Sequence, residues 1–525
     1  MKKTIYAVMA MLAATFTLSS CTDDLNQYPH TETTSENVYT SVENYKAVLA
    51  KIYVSFVIAG QEKGGSDEDI SSNTGYDYMR CYFNMQECGT DEVVYTWLEG
   101  DQMTDLTYLS WDDNDVWVAD TYYRIYYTIA LCNEFLRNAT DEAISSFSTS
   151  DQEEIVHYRA EARFLRALAY YHALDLYQNI PFVTEDDPVG SYLPPRYTGS
   201  QIFEYIESEL QDIDDDLLSR SECEYGRASQ PAAYALLARL YLNAEVYTGT
   251  AHYTDCITYC QKVIDEGYTL EDDYGLLFNA DNDQRTNEII YAFPVDATYT
   301  VSWGATTYII CGAISNTSDT MVPSDYGVSS GWSNYRLRQE LPDFFDDADG
   351  RGRFYTEGQT KSIDVVTDQS YGYLSIKWTN LTDDGETASN TDDGGVNTDF
   401  PVFRLADIYL MLAESVVRGG SGSSTTEALA YVNALRERAF GDDSGNITAS
   451  QLTTDFILEE RARELYLECV RRTDLVRYGL FTTSSYLWQW KGGVKDGQAV
   501  DSKYNLYPIP ATELTANPNL YNENY

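Results

Sequence analysis

The run PAAYALLARLYLNA occupies Pro231–Ala244, and the run HYTDCITYCQKVIDEG follows it at His252–Gly267. Proline is favoured in the first turn of a helix and glycine just after the last, so these residues mark one start and one end. The first run places a small alanine every few positions, and the second carries tyrosine and aliphatic residues. Two such helices pack closely side by side. The stretch therefore predicts a mainly α-helical protein built on helical hairpins.

Similar helical patterns recur along the chain. The helical period continues at residues 153–177 and after Ser200, and again at residues 403–417, 427–438 and 456–477. Degenerate repeats of this kind are typical of tetratricopeptide-type scaffolds, in which neighbouring hairpins bury each other's apolar faces. We predict a helical scaffold over residues 36–270, with binding loops near residues 70–110, and a C-terminal helical scaffold over residues 401–525.

Residues 271–400 differ in composition from both flanks. Gly, Asn, Asp, Thr and Ser become frequent, and residues 382–397 form a loop rich in glycine and acid. Strand-like runs stand at Glu288–Phe293 and Thr306–Cys311. The region is predicted to be a loop-rich, partly β insertion in the helical scaffold. Ligand sites favour loops held by a rigid frame, so we expect the binding surface here.

The N-terminus has the three parts of a secretory signal. Lys2 and Lys3 precede an apolar run that is too short for a permanent transmembrane helix, and small residues lead to Cys21. A cleavage site that ends in cysteine resembles the lipobox of bacterial lipoproteins. We therefore expect a signal peptide at residues 1–20 and a lipidated tether at residues 21–35, with the lipid on Cys21. The alternative is an ordinary signal peptide with an incidental cysteine.

The charge of the chain restricts its partners. The formal net charge is −48, from 83 acidic and 35 basic residues. Such a surface repels nucleic acid and acidic polysaccharides, because phosphate binding needs clustered Lys and Arg. The 46 tyrosines suit half-wet surfaces that bind sugars or proteins, although most of them are expected in the core. Neutral glycans, cations and proteins remain as partners.

The cysteines and histidines do not indicate a zinc site. The chain has nine Cys and four His, and no His pairs with Cys at ligand spacing. With Cys21 acylated, eight cysteines remain, and we interpret most of them as small core residues. Export permits disulfides, so a bond between Cys81 and Cys88 is an open alternative.

Five long runs together resemble the SusD/RagB family of outer-membrane lipoproteins. They are AEARFLRALAYYHALDLY (residues 160–177), ALLARLYLNA (235–244), FPVFRLADIYLMLAE (400–414), EERARELYLECVRRTDLVRYG (459–479) and YPIPATELTANPNL (507–520). The resemblance covers nearly all of the chain after the signal peptide, and it is nearer still to the starch-binding member. Cys469 stands where the family commonly has glycine, for which we expect only a local packing adjustment.

The resemblance implies a fold and a role. Proteins of this family are helical scaffolds with tetratricopeptide-type hairpins, and they bind glycans on loops. They are not enzymes; they act as the lid of a TonB-dependent outer-membrane transporter and pass oligosaccharides into it. The expectation is a lipid-anchored, surface-exposed outer-membrane protein that captures starch or maltooligosaccharides. The lipid on Cys21 would hold this lid at the membrane.

The resemblance also implies a binding site. Sugar recognition needs flat aromatic faces together with directional polar groups. The aromatic arc of the starch binder falls on Tyr95, Trp303 and Trp332, with Arg80 as the donor to sugar hydroxyls. Trp332 and Arg80 match in kind, whereas Tyr95 replaces a Trp and Trp303 replaces a Tyr.

The polar positions of the resemblance match less well. Gly100 stands where the starch binder has Asn, and the position of its aspartate falls near Ser72. Asp77 or Asp101 are the substitutes that we predict. Three further tryptophans, Trp97, Trp488 and Trp490, are expected to pack in the core.

Acidic residues suggest one metal site. Asp281 and Asp283 stand at alternate positions of a loop, which suits oxygen ligands of calcium. The resemblance implies that Asp399 joins Asp283 at a structural ion. No other cofactor is expected. Because acidic residues are abundant, the alternative is an ordinary solvated loop.

Three rival functions stay open at this point. A glycoside hydrolase would use paired carboxylates, but these are too common here to discriminate, and no Ser-nucleophile elbow, HExxH motif or Walker loop is present. A protein-interaction scaffold without sugar specificity is the second, because tetratricopeptide-type hairpins bind proteins. A binder of another neutral glycan, or of host glycoprotein sugars, is the third, because the polar positions have changed.

Overall fold

The computed structural model describes residues 38–65, 68–391 and 394–521. The signal peptide, Cys21 and the tether lie outside the described residues. The helices are α1 (Val42–Val54), α2 (Tyr78–Glu87), α3 (Thr104–Tyr108), α4 (Val116–Asn138), α5 (Asp141–Ile144), α6 (Thr149–Tyr177), α7 (Gly199–Asp212), α8 (Gln230–Leu242), α9 (Ala244–Thr248), α10 (Tyr253–Asp265), α11 (Ala305–Ala313), α12 (Glu340–Asp343), α13 (Leu405–Val417), α14 (Thr425–Phe440), α15 (Thr454–Leu465), α16 (Arg471–Arg477) and α17 (Ala511–Ala516).

The strands form short antiparallel pairs, and two of these pairs, β1 with β5 and β4 with β8, join segments that are far apart in sequence. β1 pairs with β5, β2 with β3, β4 with β8 and β6 with β7. The strands are β1 (Val93–Tyr95), β2 (Ile180–Pro181), β3 (Arg196–Tyr197), β4 (Ile289–Phe293), β5 (Tyr335–Leu337), β6 (Phe354–Tyr355), β7 (Leu374–Ser375) and β8 (Phe400–Arg404). The mainly helical fold with a partly β insertion is thereby confirmed.

The helical scaffold is built on the predicted hairpin. α8 packs on α10, and α10 in turn packs on α13, which also contacts α14 and α15. The alanines of α8 are buried and let α10 approach closely, with Cys256 and Cys260 in the contact. The two sulfur atoms lie 3.9 Å apart on one face of α10. Small residues in one helix and larger ones in the other thus give close packing, as the sequence predicts.

One predicted strand is a helix. Residues 306–311 lie in α11, whereas the neighbouring prediction at residues 288–293 is confirmed by β4. Every residue of α11 is buried, so its apolar, β-branched run has no polar face and no helical period to detect. Tertiary packing decides between helix and strand for such runs.

The open disulfide alternative is wrong. Cys81 lies in α2 and Cys88 directly follows this helix, and both are buried free thiols. Seven residues of helix separate them by about 10 Å, beyond the reach of a disulfide. Across the described ranges, no helix is long and apolar enough to span a bilayer.

A network of buried ion pairs fastens the C-terminal scaffold to the insertion. Arg351 contacts Asp349, Glu460 and Glu464, and all four side chains are buried. Glu464 also pairs with Arg404, the last residue of β8. Because an unpaired buried charge is costly, this network makes the relative position of the two regions specific.

The turn after α15 explains the glycine preference at position 469. Leu467 and Cys469 both have a positive φ, 60° and 61°, where glycine is favoured. Two buried carboxylates hold this turn: the N–H of Leu467 donates to Glu92 at 2.9 Å, and that of Cys469 donates to Glu87 at 2.7 Å. The predicted adjustment at Cys469 is therefore a left-handed backbone held by hydrogen bonds.

Candidate functional site

One buried carboxylate joins the two chain segments that form the site. Asp77 precedes α2 and accepts the N–H of Arg80 at 2.9 Å, and it also accepts the N–H of Ala305, at the start of α11, at 3.2 Å. Ser302 donates its hydroxyl to the same carboxylate. Burial raises the pKa of Asp77, while these hydrogen bonds lower it. Asp77 thus caps two helices at once.

The structure contradicts the prediction that Asp77 serves a sugar hydroxyl. Its side chain is fully buried, and three internal donors occupy its oxygens. Gly304 permits this arrangement, because a Cβ there would lie 1.8 Å from Oδ2 of Asp77. The residue positions the site instead of contacting a ligand.

Arg80 is held rigidly between the two segments. Its Nη1 donates to the carbonyl of Trp303 at 2.8 Å. Its guanidinium lies over the rings of Tyr76 and Tyr308, at 3.5 and 4.2 Å from their centroids. Nη2 lies 4.0 Å from Oδ2 of Asp101, and Nε has no hydrogen-bond partner among the described residues. A cation fixed in this way can donate in a defined direction.

Arg80 opens onto a cavity of about 420 Å³, which we call the aromatic cavity. Its volume falls in the range of small-molecule sites. The residues that line it are Tyr76, Arg80, Trp97, Asp101, Trp303, Asn316, Gly331, Trp332 and Asn334. The structure therefore brings together four predicted site residues, namely Arg80, Asp101, Trp303 and Trp332.

Two indoles form one wall of the aromatic cavity. Trp303 and Trp332 have ring centroids 6.0 Å apart and planes at 65°. Trp303 is 44% exposed, although it packs close to Gly64 and Gly394, and Trp332 is half-buried. Backbone hydrogen bonds from Trp332 to Cys311 and from Asn334 to Gly312 fix this segment against α11. The backbone that carries Trp332 is thereby held in place, and the wall offers a fixed aromatic surface.

The third aromatic residue is Trp97, and not Tyr95. Tyr95 ends β1 with its ring fully buried, so the prediction that it offers a stacking face is wrong. Trp97 is 45% exposed and lines the cavity, which contradicts its predicted core role. Its Nε1 donates to the carbonyl of Ser333 at 2.9 Å and thereby fixes the ring. β1 is buried on both faces, and exposure begins only beyond its end.

The buried hydroxyl of Tyr95 orients two polar side chains of the cavity, those of Asp101 and Asn334. This hydroxyl donates to Oδ2 of Asp101 and accepts from Nδ2 of Asn334 at 2.9 Å. Burial raises the pKa of Tyr95 well above its ordinary value, so the hydroxyl stays a donor. Oδ1 of Asn334 is buried and has no partner within the described part of the chain. The cavity thus offers oriented carboxylate, amide and guanidinium groups.

Sequence reasoning missed Tyr76, Asn316 and Asn334. Asn334 follows Trp332 by two residues in SSGWSNY, so its position in alternation with a predicted site residue was the available signal. Tyr76 and Asn316 carry no comparable signal, because only the fold brings them to the cavity. Trp488 is buried as predicted, and Trp490 donates its Nε1 to the carbonyl of Ile363 at 2.9 Å.

The predicted metal residues line a separate cavity of about 620 Å³. Asp281, Asp283 and Asp399 all contribute to its wall. Burial and the nearby Asp283 raise the pKa of Asp399 to about 7, although the N–H of Val295 donates to it at 2.6 Å. In the ranges that the structure describes, no group of three His, Cys, Asp or Glu side chains could hold a metal ion. Calcium binding by Asp281, Asp283 and Asp399 stays a prediction.

Comparisons with known proteins identify families and relatives that the chain resembles. A family model described as SusD family matches residues 353–525, and one described as starch-binding and associating with the outer membrane matches residues 36–242. The starch-binding protein SusD of Bacteroides thetaiotaomicron is 33% identical over 99% of this chain and 98% of its own length. SusD-like protein P25 of Formosa agariphila is 26% identical over 76% of this chain and 77% of its own.

Solved structures show the same fold. Surface glycan-binding protein A from Bacteroides thetaiotaomicron, in complex with laminarihexaose, aligns with a TM-score of 0.70 over 92% of this chain and 99% of its own, at 18% identity. A SusD superfamily protein from Parabacteroides distasonis has a TM-score of 0.70 over 94% of this chain and 100% of its own, at 21% identity.

Proposed function

The chain belongs to the SusD family, and from this premise we propose that it captures starch-type α-glucan oligosaccharides at the aromatic cavity. The family consists of carbohydrate-binding, non-catalytic proteins associated with the outer membrane, so the chain is a surface glycan-binding protein and not an enzyme. The specificity for α-glucan is the part that we add.

The aromatic cavity is the observation that carries the proposal. Three indoles, from Trp97, Trp303 and Trp332, line one cavity with Arg80 and Asp101 among them. Pyranose rings present apolar C–H faces to aromatic rings and hydroxyls to charged groups. The indole planes of Trp303 and Trp332 lie at 65° to each other, so a chain that touches both must turn between them. A curved α-glucan meets this condition.

The name of one relative supports α-glucan in particular. The 33% identical relative is a starch-binding protein, and it matches this chain along nearly its whole length. A second candidate ligand is another neutral glucan, because the similar structure from Bacteroides thetaiotaomicron holds laminarihexaose. Two positions that the resemblance assigns to the starch site differ here, because Tyr95 is buried and Gly100 has no side chain. This difference favours the second candidate.

We also propose a place and a partner for the protein. From the resemblance of the motifs we propose that Cys21 is the lipidated N-terminus and that the protein is exposed at the cell surface. Its partner would be a TonB-dependent transporter. The helical hairpins support the last point, since such scaffolds bind proteins. Pull-down of the transporter with the lipidated protein would test this part independently of sugar binding.

Calorimetric titration of residues 38–525 tests the ligand. We expect heat of binding with maltoheptaose, none with xylan or mannan oligomers, and loss of binding in Trp332→Ala. Tyr299→Ala is the matched control, because Tyr299 is 83% exposed and does not line the aromatic cavity. Binding of laminarihexaose alone would favour the second candidate, and retention of maltoheptaose binding in Trp332→Ala would place the site elsewhere.

A further inference from the structure

A second cavity adjoins the aromatic cavity. It has a volume of about 600 Å³, and we call it the outer cavity. Trp97 lines both cavities, so the two share this residue in their walls. Both volumes fall in the range of small-molecule sites. Polar side chains contribute to the lining of each cavity.

A hydrogen bond links the two cavities at a second point. Asn316 lines the aromatic cavity, and the next residue, Thr317, donates its hydroxyl to Oε1 of Gln369 at 2.8 Å. Gln369 lines the outer cavity. The walls are therefore continuous at Trp97 and also through this side-chain contact.

The lining of the outer cavity suits a neutral polar ligand. Glu99, Thr104, Tyr108 and Gln369 supply acceptors and donors, and none of the described residues that line it is basic. The ring of Tyr108 is half-buried against Trp490, with centroids 6.2 Å apart. A supported aromatic ring among hydroxyl, amide and carboxylate groups is the combination that sugar rings need. An anionic ligand would meet only Glu99 as a charge.

Gly100 keeps the outer cavity open. A Cβ added at this position would meet nothing within 4 Å, and its φ lies outside the left-handed region. The backbone here therefore does not require glycine, and a larger side chain would extend into free space.

We infer that the outer cavity is a second subsite, which takes the further sugar units of a neutral glycan whose first units lie in the aromatic cavity. The inference rests on the proposed function, because it needs a glycan in the aromatic cavity. Trp97 contacts the chain where it passes from one cavity to the other. The site then selects long or branched oligosaccharides over short ones.

Titration with two length series tests the inference. The probes are maltotriose and maltoheptaose, and laminaritriose and laminarihexaose, each added to residues 38–525. We expect the longer member of the series that binds to have a Kd at least about tenfold lower than the shorter one. Gly100→Trp should abolish this advantage and leave trisaccharide affinity unchanged, while Gly100→Ala should keep both.

Gly100→Asn is a second variant with a smaller side chain, and we expect it to reduce the length advantage in part. Circular dichroism confirms that each variant is folded. Equal affinity for short and long members, or an undiminished advantage in both folded variants, would overturn the inference and leave the proposed function intact. A protein that binds neither series would overturn both.

Discussion

The indoles of Trp303 and Trp332 meet at 65° with their centroids 6.0 Å apart. They touch through edge and face and do not stack on each other, so both keep ring surface for a ligand. Replacing either by alanine removes a stacking face at the centre of the site. We expect Trp303→Ala and Trp332→Ala each to raise the Kd for the bound glycan by at least about tenfold. Calorimetry measures this, and a change below threefold (roughly 0.7 kcal/mol) would contradict it.

Trp97 and Tyr95 give opposite predictions although they are two residues apart. Trp97→Ala removes a ring that is 45% exposed, and we expect a loss of affinity comparable to that of Trp332→Ala. Tyr95→Phe removes a buried hydroxyl, which should lower the free energy of unfolding by about 1 kcal/mol and leave the Kd within roughly threefold. Urea denaturation and titration separate the two effects. A large loss of affinity in Tyr95→Phe would contradict this and show that the hydroxyl, through Asp101 and Asn334, is required for sugar binding.

Gly304→Ala tests the double cap. The added Cβ would lie 1.8 Å from Oδ2 of Asp77, so the carboxylate must leave its position. Losing a cap costs about 0.5–2 kcal/mol, and here α2 and α11 are both affected. We expect a lower Tm together with weaker glycan binding, because Arg80 and Trp303 lose their common support. A variant with a lower Tm and unchanged affinity would show that Asp77 does not position the site.

Arg351→Met tests the buried ion network. The substitution leaves Asp349, Glu460 and Glu464 without one buried partner, and we expect the free energy of unfolding to fall by about 3–5 kcal/mol. Denaturant unfolding measures this loss. Arg159→Met is the control, since the side chain of its partner Asp141 is 88% exposed and the loss of this pair should be much smaller. Equal losses in the two variants would contradict the role of burial.

The raised pKa of Glu92 predicts that the stability of the protein depends on pH. Burial raises the pKa of Glu92 from its ordinary value of 4.5 to about 7, although Arg471 lowers it. Between these values the folded protein binds a proton that the unfolded chain has lost. The contribution of Glu92 to the free energy of unfolding therefore falls as pH rises from about 4.5 to about 7.

Glu92→Gln removes this titration while keeping an acceptor for the N–H of Leu467. The stability of the variant relative to the native protein should therefore increase with pH. Urea unfolding at about pH 5 and about pH 7.5 provides the measurement. Parallel pH profiles for the two proteins would exclude a raised pKa at Glu92.

The helical hairpins could be predicted from sequence because packing leaves a local pattern. The alanines of α8 and the cap residues of its neighbours are visible in a single window, and the structure confirms them. α11 could not be predicted, because all of its residues, Thr306 and Ile310 among them, are buried. The sequence therefore shows no alternation of polar and apolar faces at the helical period. The exposure of Trp97 was also invisible, since it depends on where β1 ends against β5. Local patterns thus give elements, while the cavity wall is decided by contacts between distant segments.

Asp77 causes the binding site to be ordered when the chain folds and not when the ligand binds. Its carboxylate accepts the N–H groups of Arg80 and Ala305, and Arg80 in turn donates to the carbonyl of Trp303, so the conformational entropy of this segment is lost as the chain folds. An arriving oligosaccharide then has only its own freedom to lose. A stiff or cyclic glycan has little of that freedom, so rigidity in the ligand should raise affinity more than additional hydroxyl contacts would.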